Sequence, residues 1–218
     1  MFIVYPLQAQ YDYTELLFSL RSVEKYFTPP YEVVVVGDKI PEWLTNVTQI
    51  CVPDILGRKQ LTIKKKIYAA LEVYPTDHFF MNDDVYLLEE TDGKYPYFYQ
   101  GMLTTVGESG ARPLLNELTK MGKPIKNFDL HQPLIYDYRF KDVFANFPSE
   151  VIVKSCYCNF LGIDGEYYPD LKINRKIERA DIEAAIKGRK YFSSGPSGLG
   201  YVIPVLQTLF PKKSNFEL

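Results

Sequence analysis

Neither charge dominates this chain. Its 218 residues hold 25 Lys and Arg against 27 Asp and Glu, a formal net charge of −2. That balance argues against bulk affinity for nucleic acid or an anionic membrane, and no sustained basic stripe marks a nucleic-acid face. The cysteines, Cys51, Cys156 and Cys158, are odd in number and form no C-x-x-C. Their spacing gives no disulfide framework or zinc site and points to a reduced, cytoplasmic protein. No stretch approaches the roughly 20 apolar residues of a membrane span, so any membrane contact is expected to be peripheral. The opening MFIVYPLQAQ lacks a positive n-region and reads as a strand, not a signal peptide. There is no repeat, no low-complexity linker, no G-x-G-x-x-G and no G-x-x-x-x-G-K.

What remains is an ordinary globular composition, 46% hydrophobic and 24% charged, suited to one domain. The 18 Tyr and 14 Phe suit either sugar-stacking platforms or an aromatic core, and the core is the commoner use. Residues 2–5 read as a strand stopped by Pro6. A helix opens at Thr14, with Leu16, Leu20, Val23 and Phe27 on one face and Arg21, Glu24 and Lys25 outward. The valines at 33–36 have the look of a strand covered on both faces. A helical turn at 41–44, a strand at 47–52, a helix from Lys59 to about Tyr74 and a strand running into Asn82 complete the first half. The alternation predicts an α/β fold, an open, mainly parallel Rossmann-type sheet flanked by helices.

The segment 76–90, TDHFFMNDDVYLLEE, is the most informative. Apolar Phe79, Phe80 and Met81 run into Asn82, Asp83 and Asp84. Adjacent carboxylates at the end of a buried strand are costly unless a cation meets them. They read as ligands of a divalent metal, with Asn82 contacting substrate; the plain alternative is a turn. A helix preceding a parallel strand starts at the edge where that strand ends, so Arg58 and Lys59 are expected beside the carboxylates. With Thr62 and Lys66 on the same face they would form a cradle for a diphosphate at a helix N-terminus; otherwise the Lys run is a solvated face.

Beyond Glu90 an aromatic edge strand is expected at 95–99. A helix at 112–121 carries Leu114, Leu115, Leu118 and Met121 inward. His131 is a candidate metal ligand or base, whereas His78, inside the apolar strand, reads as structural. Lys154 interrupts an apolar strand or helix and is either a surface residue or a group reaching for phosphate. The segment 179–190 reads as a helix whose small face is Ala180, Ala184 and Ala185. YFSSGPSGLG reads as a flexible flap, and the chain ends with a helix near 201–210.

Four ordered segments, YTELLFSLRSVEKYF, VVVVGD, IPEWL and MNDDVYL, together with HQP at 131–133 and the closing LFPKKSNFE, resemble the Stealth family of sugar-phosphate transferases. The resemblance is strong over residues 13–90. It implies a fold similar to GT-A glycosyltransferases, a nucleotide-sugar donor, and Mn²⁺ or Mg²⁺ held by Asp83, Asp84 and His131. It also implies catalytic roles for Asp84 and His131, and places Lys154 roughly where the family has a phosphate-meeting arginine. A single domain is expected, with residues 1–92 binding the donor and 93–218 facing a carbohydrate or other hydroxyl acceptor. Attack at the anomeric carbon would release a nucleoside diphosphate; attack at the β-phosphorus would release a monophosphate and transfer a hexose phosphate. A binding or assembly protein without turnover is the reading from a different class.

Overall fold

The computed structural model describes residues 1–9, 13–105, 110–147 and 150–218; Gln10, the end of the opening segment, lies outside them. In chain order the first elements are β1 (Phe2–Tyr5), α1 (Thr14–Tyr26), β2 (Glu32–Val36), β3 (Thr48–Ile50), α2 (Lys59–Val73), β4 (His78–Phe80) and β5 (Val85–Leu87). There follow β6 (Phe98–Tyr99), α3 (Ala111–Lys120), β7 (Leu134–Tyr136), α4 (Arg139–Ala145) and α5 (Val153–Leu161). The chain ends with β8 (Glu166–Tyr167), β9 (Lys172–Ile173), α6 (Arg179–Ile186), β10 (Tyr191–Ser194) and α7 (Leu199–Leu209).

The main sheet has the order β3-β2-β1-β4-β7. Its first four strands are parallel and β7 runs antiparallel to β4. The valines of β2 show why it lies inside. Val34 and Val36 pack into the core beneath α2, α3, α4 and α5, while Val33 and Val35 pack into the core on the α1 side. Alternate side chains of a strand point to opposite faces, so a run apolar at every position suits a sheet covered on both. Burying each such side chain contributes about 1.5–3 kcal/mol. The aromatics are largely core residues, Tyr5, Tyr86, Tyr136, Tyr157 and Tyr191 among them.

A second sheet, β5-β10-β9, decides the geometry of the acidic segment. β10 pairs antiparallel with β5 and parallel with β9. The segment expected to be a flap is therefore a strand at Tyr191–Ser194, every residue of it buried. Three other expectations change. The buried face of α6 is Ile182 and Ile186, not its alanines, because two β-branched side chains cover more apolar surface than three methyls. Met121 is exposed past the end of α3. A hydrogen-bonded turn, Leu44 N to Pro41 O at 3.1 Å, replaces the helical turn at 41–44.

Arg21 is not an outward residue of α1. Its guanidinium makes a two-pronged pair with Glu217, Nε to Oε1 at 2.7 Å and Nη2 to Oε2 at 2.6 Å, and Nη1 donates to Phe210 O at 3.1 Å. Glu24 accepts from Asn215 N at 2.7 Å. The terminal F-P-x-x-S-x-F-E segment is thus strapped across α1.

Candidate active site

From β1 the chain proceeds outward to β2 and β3, then returns to the other side of β1 as β4. The order reverses between β1 and β4, and in open α/β sheets ligands sit outside the carboxyl ends of the strands at such a point. A cleft of about 520 Å³ lies there, lined by Pro6 and Gln8 after β1, residues 54–59 before and at the start of α2, Thr62, Ile63 and Lys66 within it, and Asn82 and Asp83 after β4. The sequence-based placement of the α2 start beside the acidic segment thus matches the structure. Its size is that of a small-molecule site.

The side chains expected to form the cradle divide. Lys66, 1% exposed, donates to Leu7 O at 2.6 Å and to Asp54 Oδ1 at 2.5 Å, joining the cleft's two walls. Thr62 Oγ1 accepts from Ile55 N at 2.9 Å. Both therefore bond to protein groups within the cleft wall. Lys64 is also buried, its Nζ donating to Phe147 O at 3.1 Å, so the Lys run is not a solvated face. Arg58 is half-exposed and pairs with Glu150, Nε to Oε2 at 2.6 Å. Lys59 is exposed and makes no hydrogen bond or ion pair with the described residues. Arg58 and Lys59 stand at the start of a helix that no side chain caps.

Next to Asp83 the chain turns inward, and Asp84 joins three side chains from the second half. Ser194 N donates to Asp84 O at 3.1 Å, fixing the acidic turn to β10. Asp84 Oδ2 lies 2.9 Å from Lys172 Nζ and 3.6 Å from His131 Nε2. Lys172 Nζ is itself 2.7 Å from His131 Nε2. On the far side of the ring, His131 Nδ1 lies 3.6 Å from Asp170 Oδ2, which also accepts from His131 N at 3.3 Å. An ammonium has only donors, so His131 Nε2 accepts from it and the ring proton sits on Nδ1, facing Asp170. Burial alone would raise the Asp170 carboxyl; the imidazole and backbone N–H of His131 outweigh it and hold the group below its ordinary value.

Lys154 is a buried cation turned toward the His131 loop. It is 7% exposed, and Nζ donates at 2.8 Å to both Leu130 O and Gln132 O, the carbonyls flanking His131. Burial lowers its pKa, opposed by the charges of Asp129, Asp84 and Asp170, while Lys59 adds to the lowering. Asp83 lines the cleft and Asp84, the next residue, belongs to the cluster, so the two adjoin along the chain. His78 is a core residue, 1% exposed, its ring edge-on to Phe2 with centroids 5.9 Å apart.

Two of the three expected ligands of Mn²⁺ or Mg²⁺, Asp84 and His131, do not fit that role as they stand. Asp84 Oδ2 and His131 Nε2 are spaced to bracket a cation, but the cation between them is the Lys172 ammonium. A divalent ion bound to both atoms would lie ~3 Å from that ammonium, a repulsion of roughly 11 kcal/mol at an effective dielectric constant of 20. No group of three or more His, Cys, Asp or Glu among the described residues is arranged to hold a metal.

Asp170 and Lys172 carried no sequence signal beyond an alternation of polar and apolar residues in PDLKI. β9 brings in Lys172 across 88 residues from Asp84, and Asp170 lies just before that strand.

No family model matches the chain, and no curated protein matches it in sequence. Neither comparison confirms the expected likeness to the Stealth family. In three dimensions the chain is similar to a galactosyltransferase, LgtC, solved in complex with donor and acceptor sugar analogues: TM-score 0.51, 13% identity, covering 99% of this chain and 97% of that one. The chain has a GT-A-type fold.

Proposed function

We propose that this protein is a glycosyltransferase that takes a nucleotide-sugar donor and a carbohydrate or other hydroxyl acceptor. The observation that carries the reading is the cleft at the strand-order reversal, where Arg58 and Lys59 at an uncapped helix start face Asn82 and Asp83. The GT-A-type fold, shared with a protein that binds donor and acceptor sugar analogues, supports it.

In this reading the donor diphosphate lies at the start of α2, where unpaired backbone N–H groups and the two cations favour an anion. Asn82 contacts the donor's hydroxyls. The acceptor oxygen attacks the anomeric carbon, the bond to the diphosphate oxygen breaks with its electron pair, and the acceptor proton is released. The products are the glycoside and a nucleoside diphosphate. Asp84 and His131 act on this step through the charge they hold in place, and Lys154 positions His131. Residues 1–92 line the donor cleft, and 93–218 supply the acceptor side together with the His131 and Lys172 cluster beside Asp84.

The test is thermal unfolding with a panel of nucleoside diphosphates and nucleotide sugars, on the native chain and on the Arg58→Ala/Lys59→Ala double variant. A ligand at ~100 times its Kd adds about 2.7 kcal/mol, a rise in Tm of roughly 5–10 °C for a chain of this size. One nucleotide class should give that shift and the double variant should lose most of it. No shift with any nucleotide would overturn the reading.

A further inference from the structure

The Lys172 side chain is held as firmly as a ligand-binding group is. Its backbone is fixed in β9, where it pairs with Ser193 of β10, and the flanking bonds Ser193 N to Leu171 O and Gly195 N to Ile173 O are both 2.9 Å. Gly195 packs against its stem so closely that a Cβ there would stand 3.0 Å from Lys172 Cε and 2.4 Å from Asn174 Oδ1. The ammonium spends one N–H on Asp84 Oδ2 and one on His131 Nε2. An ammonium has three donors, and the third has no protein partner among the described residues. The side chain is 27% exposed, so that third donor can meet a ligand.

We propose that the Lys172 ammonium is a tethered cation that takes the place of a divalent metal between Asp84 and His131 and donates its third N–H to an oxygen of the donor diphosphate. The inference rests on the nucleotide-sugar reading and adds that donor binding needs no metal. Asp84 neutralises and aims the ammonium, His131 accepts from it, and Asp170 holds the imidazole in the tautomer that can accept. A tethered ammonium gives one charge where a metal gives two. Arg58 and Lys59, which line the cleft, supply the rest.

The experiment compares the native chain with Lys172→Ala and with Lys172→Met, which keeps an apolar stem in the Gly195 contact should the smaller residue weaken the fold. Manganese binding is read by electron paramagnetic resonance on protein without nucleotide. Nucleoside diphosphate affinity is read by calorimetry in EDTA and again in Mn²⁺. The native chain should leave Mn²⁺ free and bind the diphosphate equally in both buffers. The variants should lose about ten- to hundredfold in affinity in EDTA, the weight of one charge-assisted hydrogen bond. They should also bind Mn²⁺ through the vacated Asp84 and His131 and regain affinity with it. Stoichiometric Mn²⁺ on the native chain, or variants with unchanged affinity in EDTA, would overturn the inference. A native chain that binds no nucleoside diphosphate in either buffer overturns the nucleotide reading instead, while the manganese measurement still decides what holds the cation position.

Discussion

Lys154 brackets His131, its ammonium 2.8 Å from each of the two carbonyl oxygens on either side of that residue, Leu130 O and Gln132 O. A cation expected at a phosphate is a brace for the loop carrying the imidazole. Lys154→Met should leave two buried carbonyls unpaired, at about 1–3 kcal/mol each. The urea midpoint should fall accordingly, and the residual turnover of folded variant should be low in kcat with little change in KM. A variant with native kcat would show that His131 does not depend on the brace.

His78 gives the protein an acid-side weakness. Burial lowers its pKa from 6.5 to about 4, so between those values the unfolded chain binds a proton that the folded chain refuses. The stability is fully present above pH 6.5 and is lost as pH falls toward 4. Urea unfolding should show about 2 kcal/mol less stability at pH 5 than at pH 7 from this residue. His78→Phe should remove that difference, and equal pH profiles for the two chains would contradict the assignment.

Glu217 ties the C-terminal segment to α1 through Arg21, with both side chains largely buried. Burial alone would raise the Glu217 carboxyl, but Arg21 and Ser214 outweigh it and hold it below its ordinary value. Its contribution is therefore present above the ordinary glutamate pKa and lost as pH falls through the lowered one. Arg21→Ala leaves a buried carboxylate with Ser214 but without its cation and should cost about 3 kcal/mol at pH 7. The expected signs are a lower Tm and earlier proteolytic release of the last residues; unchanged cleavage kinetics would count against the strap.

Gly195→Ala separates the site from the fold. Its Cβ meets the Lys172 stem and Asn174, so the substitution should weaken nucleoside diphosphate binding about tenfold, one lost charge-assisted bond. Calorimetry beside urea unfolding checks it. A change in Tm with no change in affinity would mean that Lys172 does not need this contact.

The first half of the fold was readable because its signals are local. The valines of β2, the apolar face of α2 and the switch from apolar to acidic at Met81 each state their environment within a few residues. Parallel pairing then places the start of α2 beside Asp83 without further information. The second half was not readable in the same way. β8 and β9 are two residues each, too short for periodicity, and their position is set by pairing with strands far along the chain. Lys172 looked like any surface lysine for that reason. The Ser and Gly residues after Phe192 have turn chemistry, but Ser193 and Ser194 lie between β5 and β9, where small side chains fit beside the Asp84 turn. The protein partners of Lys66 and Lys154 were not legible, because a cation holding buried carbonyls and one holding phosphate have the same sequence signature.

Phosphorus NMR of the native chain with the nucleotide sugar that stabilises it tests the central claim most directly, since water can serve as a slow acceptor when the true one is absent. The account predicts a nucleoside diphosphate as the phosphorus-containing product, formed in EDTA as well as in Mn²⁺. A nucleoside monophosphate with a sugar phosphate, or a donor left unconsumed at stoichiometric enzyme, would contradict glycosyl transfer at this site.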